Sequence, residues 1–353
     1  MDKIKILAIA KLHHAFANHY QPLAQCDRVA ELTALRPLKW SKKKLSHIEV
    51  VDFERFPLVI SLLMMFFAGI YLALKRKYDA IVTFTPIPYG VLGLLVSKIS
   101  RTPLHVGVIG ENVQEQLRGW QGFVAKQVLK NAKTISVTGP NTRELLIRHD
   151  FDPAALFILP HGVTDDFYPD FESEKIYDAV FIGDLLPVKR VDFIINVWSQ
   201  VVAASPGRRL CIVGDGKERD KLEDLVFSLG LSKYVEFAGY RQNVSVYLRQ
   251  TQLLIMASES EGLPFVLIEA MACGVVPVVN DVGDISTLVK EHHNGLLLKK
   301  NASTSDYSKS IVKLLEDKQT LKSLQTGALQ SVEHLTYKEV TKAWDLILDK
   351  LID

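Results

Sequence analysis

The sequence predicts an α/β protein of two domains, each a parallel β-sheet covered by helices. Three observations carry that expectation. The chain has 353 residues, beyond the roughly 250–300 at which one hydrophobic core stops growing. Short apolar runs alternate with longer amphipathic stretches, the pattern of buried parallel strands joined by crossover helices. A polar, acidic, turn-forming stretch at 161–178 separates two such sets.

In the first set, strands are expected at 4–10, 47–53, 80–85, 103–109, 134–139 and 156–160. The second set begins at 178–184 and continues through 209–215, 234–240, 252–258 and 275–281. Helical spacing closes the chain at about 304–317 and 336–352. The expected division is therefore 1–166, 167–335, and a last helix over 336–353. With 48% hydrophobic and 23% charged residues, no segment is biased enough to escape folding.

One helical stretch is unusual. Residues 56–74, FPLVISLLMMFFAGIYLAL, carry no charge and run into Lys75, Arg76 and Lys77. The length is near that of a membrane span, but spanning would divide strands 4–10 and 80–85 between two sides of a bilayer. Two readings remain: a helix buried against the sheet, or one lying in a membrane interface. Lys39, Trp40, Lys42, Lys43 and Lys44 form a nearby basic patch, so 39–44 with 56–77 is a candidate contact for an anionic membrane surface.

Charge is uneven along the chain. Residues 1–166 hold 21 Lys and Arg against 14 Asp and Glu, whereas 167–353 hold 21 against 26. A basic first half indicates an anionic partner there, without requiring nucleic acid. Cys26, Cys211 and Cys273 lie far apart, an odd set without metal-ligand spacing, which fits core thiols in a reducing compartment. The opening apolar run is too short for a secretory signal. A cytoplasmic location is expected, peripheral at the inner face of the cell membrane.

The densest chemistry lies in SESEGLPFVLIEAMACG, from Ser258 to Gly274. It follows an apolar strand, so Glu259 to Leu263 form a loop at the strand's carboxyl end, where open α/β sheets bind ligands. Pro264 suits a helix's first turn and Gly274 its left-handed C-terminal cap. The N–H groups of Phe265, Val266 and Leu267 are then expected to lack intrahelical partners and to attract phosphate. Gly262 permits close approach. Glu261 and Glu269 flank this terminus. Carboxylates there suit the hydroxyls of a sugar and a ribose; the bland alternative is a capping loop with both glutamates in water.

The motif resembles that of the family 4 retaining glycosyltransferases of GT-B fold (glycosyl transferases group 1). Their signature is two glutamates separated by seven residues, matched by Glu261, Gly262, Glu269, Ala270, Met271, Ala272 and Gly274. The similarity continues through 181–195, 210–222, 235–240 and 275–289, and more weakly through 129–146 and 156–169. It implies two facing Rossmann-like domains with a C-terminal helix crossing back to the first. It also implies a nucleoside diphosphate sugar as co-substrate, no metal, a glycan or lipid-linked acceptor, and retaining hexosyl transfer. By resemblance Glu269 meets the donor's ribose, Glu261 the transferred sugar, Lys189 the diphosphate, and Tyr240 the region of the base. Asp184 stands where the family places an arginine, and Arg190, where it places a glycine, is a candidate substitute. The first domain departs further: Lys11, His13, His14 and Glu111 are acceptor-side candidates in altered loops. Three rival classes share the architecture: a nucleotide-sugar epimerase, a catalytically degenerate transferase, and a non-catalytic sugar-binding protein.

Overall fold

Apolar runs bounded by turn residues fold here into parallel strands buried on both faces, which is why they read as continuous rather than alternating. A computed structural model describes residues 3–10, 14–37, 47–53, 56–109 and 113–353, the side chains of 14–17, 114 and 115 excepted. The chain forms two units, residues 1–162 with 335–353, and residues 163–334.

The first unit's strands are β1 Ile4–Ile9, β2 Val29–Arg36, β3 Ile48–Asp52, β4 Ala80–Phe84, β5 Leu104–Val108, β6 Thr134–Val137 and β7 Leu156–Ile158. They pair in parallel in the order β3-β2-β1-β4-β5-β6-β7, with Ile6 opposite Ala80 and Ile81 opposite Leu104. Its helices are α1 His14–Ala24, α2 Leu58–Arg76, α3 Val91–Ser100, α4 Val113–Gln116, α5 Gly119–Lys130 and α6 Pro140–Arg148. The sequence reading overlooked β2. Its VAELTALR mixes helix formers with charge, and tertiary contacts settle the matter: Arg36 pairs with Asp52 of β3, and Glu31 takes Arg76 of α2 at 2.9 Å.

In the second unit the strands are β8 Tyr177–Ile182, β9 Leu210–Val213, β10 Val235–Gly239, β11 Thr251–Met256, β12 Val276–Asn280 and β13 Leu296–Leu298. Their order is β10-β9-β8-β11-β12-β13. The accompanying helices are α7 Val191–Ala204, α8 Arg219–Ser228, α9 Ser245–Arg249, α10 Phe265–Ala272 and α11 Ile285–Leu288. Then come α12 Thr304–Glu316 and α13 Lys318–Val332. Fully buried Trp198 and Tyr307 anchor this core, from α7 and α12.

Helices cover both faces of the first sheet. Met65 and Ala73 of α2, Val96 of α3, and Ala125, Val128 and Leu129 of α5 share one core with that face. The opposite face is covered by α1 and by the last helix, α14 Tyr337–Ile352. The C-terminal helix thus returns to the first unit. Trp344 is fully buried there, its ring N–H donating to His19 O at 3.2 Å. Val340, Ile347, Leu348 and Leu351 complete its apolar stripe.

Helix α2 covers most of the apolar stretch 56–74. It connects β3 to β4 of one sheet, so it does not cross a bilayer. Ser61, Met65, Gly69 and Ala73, four residues apart, are buried, and the small size of Ser61, Gly69 and Ala73 draws the helix close. A Cβ on Gly69 would lie 3.1 Å from the Val96 side chain. The other side is not core: Leu63, Phe67, Tyr71 and Leu74 are exposed.

Because Trp344 joins α14 to the sheet, Trp344→Ala should cost about 3–5 kcal/mol of stability, as for large core aromatics. Urea denaturation of the first unit's transition measures it; a change below about 1 kcal/mol would mean α14 contributes little.

Candidate functional site

Strand order reverses in the second sheet between β8 and β11: β9 and β10 extend from one, β12 and β13 from the other. Loops leaving such neighbours diverge, and ligands bind in the crevice at their carboxyl ends. Here the two loops are tied together. The Glu259 N–H donates to Val188 O at 2.9 Å, and Lys189 Nζ stands 2.6 Å from Glu261 Oε1. The Glu261 side chain is only 4% exposed against 26% for Lys189. A carboxylate so buried needs a counter-charge, and the ammonium supplies it from 72 positions away in sequence.

The loop after β11 ends at Pro264, which has extended backbone (φ −68°, ψ 136°) and precedes α10. The expected trio of open N–H groups needs one correction. Leu267 N–H donates to Pro264 O at 3.2 Å, because the first turn tightens toward 3₁₀ geometry. Phe265 and Val266 stay in that first turn, behind buried Gly262 and Leu263. The far end follows the sequence expectation. Gly274 has φ +71°, its N–H donates to Met271 O and that of Val275 to Ala270 O, a Schellman closure.

Glu269 lies on α10, half-buried, and without an ion pair among the described residues. Burial therefore pushes its carboxyl up to about 7. An acid in this state is poised to accept hydrogen bonds from neutral hydroxyls once ionised, and such bonds favour the charged form.

The remaining candidates are dispersed. Arg190, in left-handed backbone at the start of α7, lays its guanidinium over the Phe193 ring at 4.4 Å. Asp184 is exposed in the loop after β8, and Tyr240 is exposed just beyond β10. The Gly214-Asp215-Gly216 turn packs against the loop carrying Asp184. Gly214 has φ +149°, and a Cβ there would lie 1.9 Å from Gly183 O. That contact accounts for the G-x-G spacing by packing. Lys11, His13 and Glu111, like Lys39 to Lys44, lie outside the described residues. His14 opens α1, its side chain likewise outside them.

Two supporting residues escaped the sequence reading. Buried Asn280, at the end of β12, donates from Nδ2 to Ser258 O at 2.7 Å and so holds the start of the Glu261 loop. Gly283 approaches from the next loop, where a Cβ would lie 2.0 Å from Glu261 O. The only sequence signal was a polar residue closing an apolar strand, VVPVVN.

Two measurements follow from this geometry. Lys189→Met strands the Glu261 charge and should destabilise the ligand-free protein by about 1–3 kcal/mol; Glu261→Gln added to it should recover most of the loss. A double-mutant cycle with no coupling would deny the pair. For Glu269, a folded pKa raised from 4.5 to about 7 contributes stability present in full below pH 4.5 and lost as pH rises through 7. Glu269→Gln should therefore flatten thermal stability between those limits and raise it above pH 7, as read by calorimetry.

Against known proteins, residues 166–330 match the family described as glycosyl transferases group 1. The N-acetyl-alpha-D-glucosaminyl L-malate synthase of Bacillus anthracis is 30% identical over 177 residues, 50% of this chain and 45% of that protein. The alpha-monoglucosyldiacylglycerol synthase of Acholeplasma laidlawii is 22% identical over 310 residues, 79% of this chain and 77% of that one. Several other curated relatives are matched over less than half of their length. The crystal structure of Anabaena HepE in complex with UDP-glucose aligns with a TM-score of 0.83 at 20% identity, over 99% of this chain and 100% of that chain. That likeness is one of fold. The switch-point loop, α10 and both glutamates fall inside the residues that match glycosyl transferases group 1, so it is this second part of the chain that is similar to that family.

Proposed function

We propose that the protein transfers a hexose, with retention, from a nucleoside diphosphate sugar to a lipid-linked or envelope-glycan acceptor. The observation that carries this reading is the Lys189–Glu261 contact of 2.6 Å. A donor reaching this site brings both of the groups that the pair lacks. Its diphosphate competes for the Lys189 ammonium, and its sugar hydroxyls donate to the Glu261 carboxylate thus released. Glu269 takes the ribose hydroxyls, with Gly262, Leu263 and the first turn of α10, Phe265 and Val266, against the phosphates.

As the bond from the sugar's anomeric carbon to the diphosphate oxygen breaks, its electron pair leaves with that oxygen. The developing charge meets Lys189 and the amide end of α10, electrostatic stabilisation of the leaving group. The acceptor hydroxyl forms the new bond on the same face, and its proton passes to the departing phosphate oxygen. No metal takes part in this scheme. Arg190 and Tyr240 are assigned to the donor side, and Lys11, His13, His14 and Glu111 to the acceptor side. The family match supports the donor, and the lipid-derived name of the Acholeplasma laidlawii relative supports the acceptor class. A cytoplasmic location at the inner face of the cell membrane agrees with three buried free cysteines.

A thermal-shift screen of nucleoside diphosphate sugars tests the donor, since a ligand at one hundred times its dissociation constant adds about 2.7 kcal/mol. Glu269→Ala should weaken every donor, whereas Glu261→Ala should chiefly change sugar discrimination and turnover. Equal binding by both variants and the parent would overturn the assignment. Donor binding without transfer to lipid extract would identify a silent transferase, the reading that exposed Asp184 favours.

A further inference from the structure

Helices α2, α3 and α5 lie side by side on one face of the first sheet, sharing a core beneath them. Their outward residues are not those of a solvated surface. Val59, Leu63, Phe67, Tyr71 and Leu74 are exposed on α2, Leu95 and Ile99 on α3, and Trp120 and Phe123 on α5. Phe67 is 67% exposed and Trp120 76%, so these are among the most accessible side chains in the unit, not edges of the core. Scattered apolar residues are ordinary on a protein surface; a field of them across three adjoining helices marks an interaction site.

The charges of the same helices identify the partner. Across 58–76, 91–100 and 119–130 there is no Asp or Glu, while Lys75, Arg76, Lys98, Lys126 and Lys130 are present. Crossover helices on one face of a parallel sheet all run against the strands, so their C-terminal ends share one edge. Lys75, Lys98 and Lys130, each in its helix's last turn, gather at that edge, joined by exposed Lys77, Arg101 and Lys133. An apolar field with an indole and a basic border has the chemistry of an interfacial membrane surface. A second copy of the chain fits less well. A two-fold contact through this face would bring like cations together with no acid from these helices to meet them.

We infer that the outward face of α2, α3 and α5 docks onto an anionic lipid bilayer. The helices lie in the interface plane, apolar side chains reach the acyl boundary, and the lysine edge meets the headgroups. This deepens the proposed function, on which it rests for the acceptor alone: it names the surface at which a lipid-linked acceptor is met.

Flotation of the full chain with phosphatidylcholine vesicles, with and without phosphatidylglycerol, tests the surface. Binding should be at least about tenfold stronger to the anionic vesicles and should weaken with added salt. Trp120→Ser with Phe123→Ser, both exposed positions, should lower binding about tenfold, as for the loss of buried apolar anchors, while leaving the thermal transition in place. Lys98→Glu with Lys130→Glu should abolish the preference for anionic vesicles. The inference is overturned if the intact chain stays free of both vesicles or if the Trp120/Phe123 variant binds unchanged. It is equally overturned if sedimentation equilibrium shows a dimer that this variant dissociates. Donor-induced thermal shift reads the transferase assignment separately, so loss of that shift with vesicle binding intact would sink the reaction and not the surface.

Discussion

The ion pair between Lys189 and Glu261 is the constraint around which the candidate site is organised. It spans the point at which the second sheet reverses direction, joining the loop after β8 to the loop after β11. Diverging loops would otherwise be free to move apart. With the pair formed, and Glu259 bonded to Val188 beside it, the two loops present one lysine and one carboxylate at fixed separation. Such a pair contributes little net stability when both charges lose water. Its value is positional, and in the proposed reaction it is exchangeable: each partner would meet an equivalent charge or hydroxyl from the donor.

The surroundings of this pair are arranged by packing. Asn280 holds Ser258 O, Gly283 sits against Glu261 O, and Gly214 sits against Gly183 O. The two glycine contacts place backbone where a side chain would intrude, and Asn280 adds a neutral hydrogen bond, so the loops are set by neighbours that make no charge contribution of their own. Behind them, Tyr307 donates to Met256 O at the end of β11, tying the site to the core around Trp198. The same logic serves the first unit, where α14 covers one sheet face through Trp344 and α2, α3 and α5 cover the other. What differs is the outer side of that second layer. There the residues that a solvated protein would make polar are leucine, phenylalanine and tryptophan.

Legibility followed the range of the interactions. The Glu261 to Gly274 segment could be read in advance because a strand end, a proline, a helix turn and a glycine cap are all local, decided by neighbours within a few residues. The continuous apolar strands were legible for a similar reason. β2 was not, because VAELTALR reads as helix-forming and becomes a strand only between β1 and β3, with Arg36 against Asp52 and Glu31 against Arg76. β13 is too short, at Leu296–Leu298, to announce itself. The open amide of Leu267 was read from an ideal helix, and a tightened first turn closed it.

By itself the sequence determined the α/β class, two sheets, and a helix terminus flanked by two glutamates, since these arise from periodicity and local backbone preference. It also determined that 56–74 would be an apolar helix. Only the tertiary structure decided which side of that helix is core and which is surface, because burial depends on what the sheet places beneath Gly69 and Ala73. Only the tertiary structure brought Lys189 to Glu261, since an attraction between residues far apart in sequence acts only after the sheet has set the two loops beside each other.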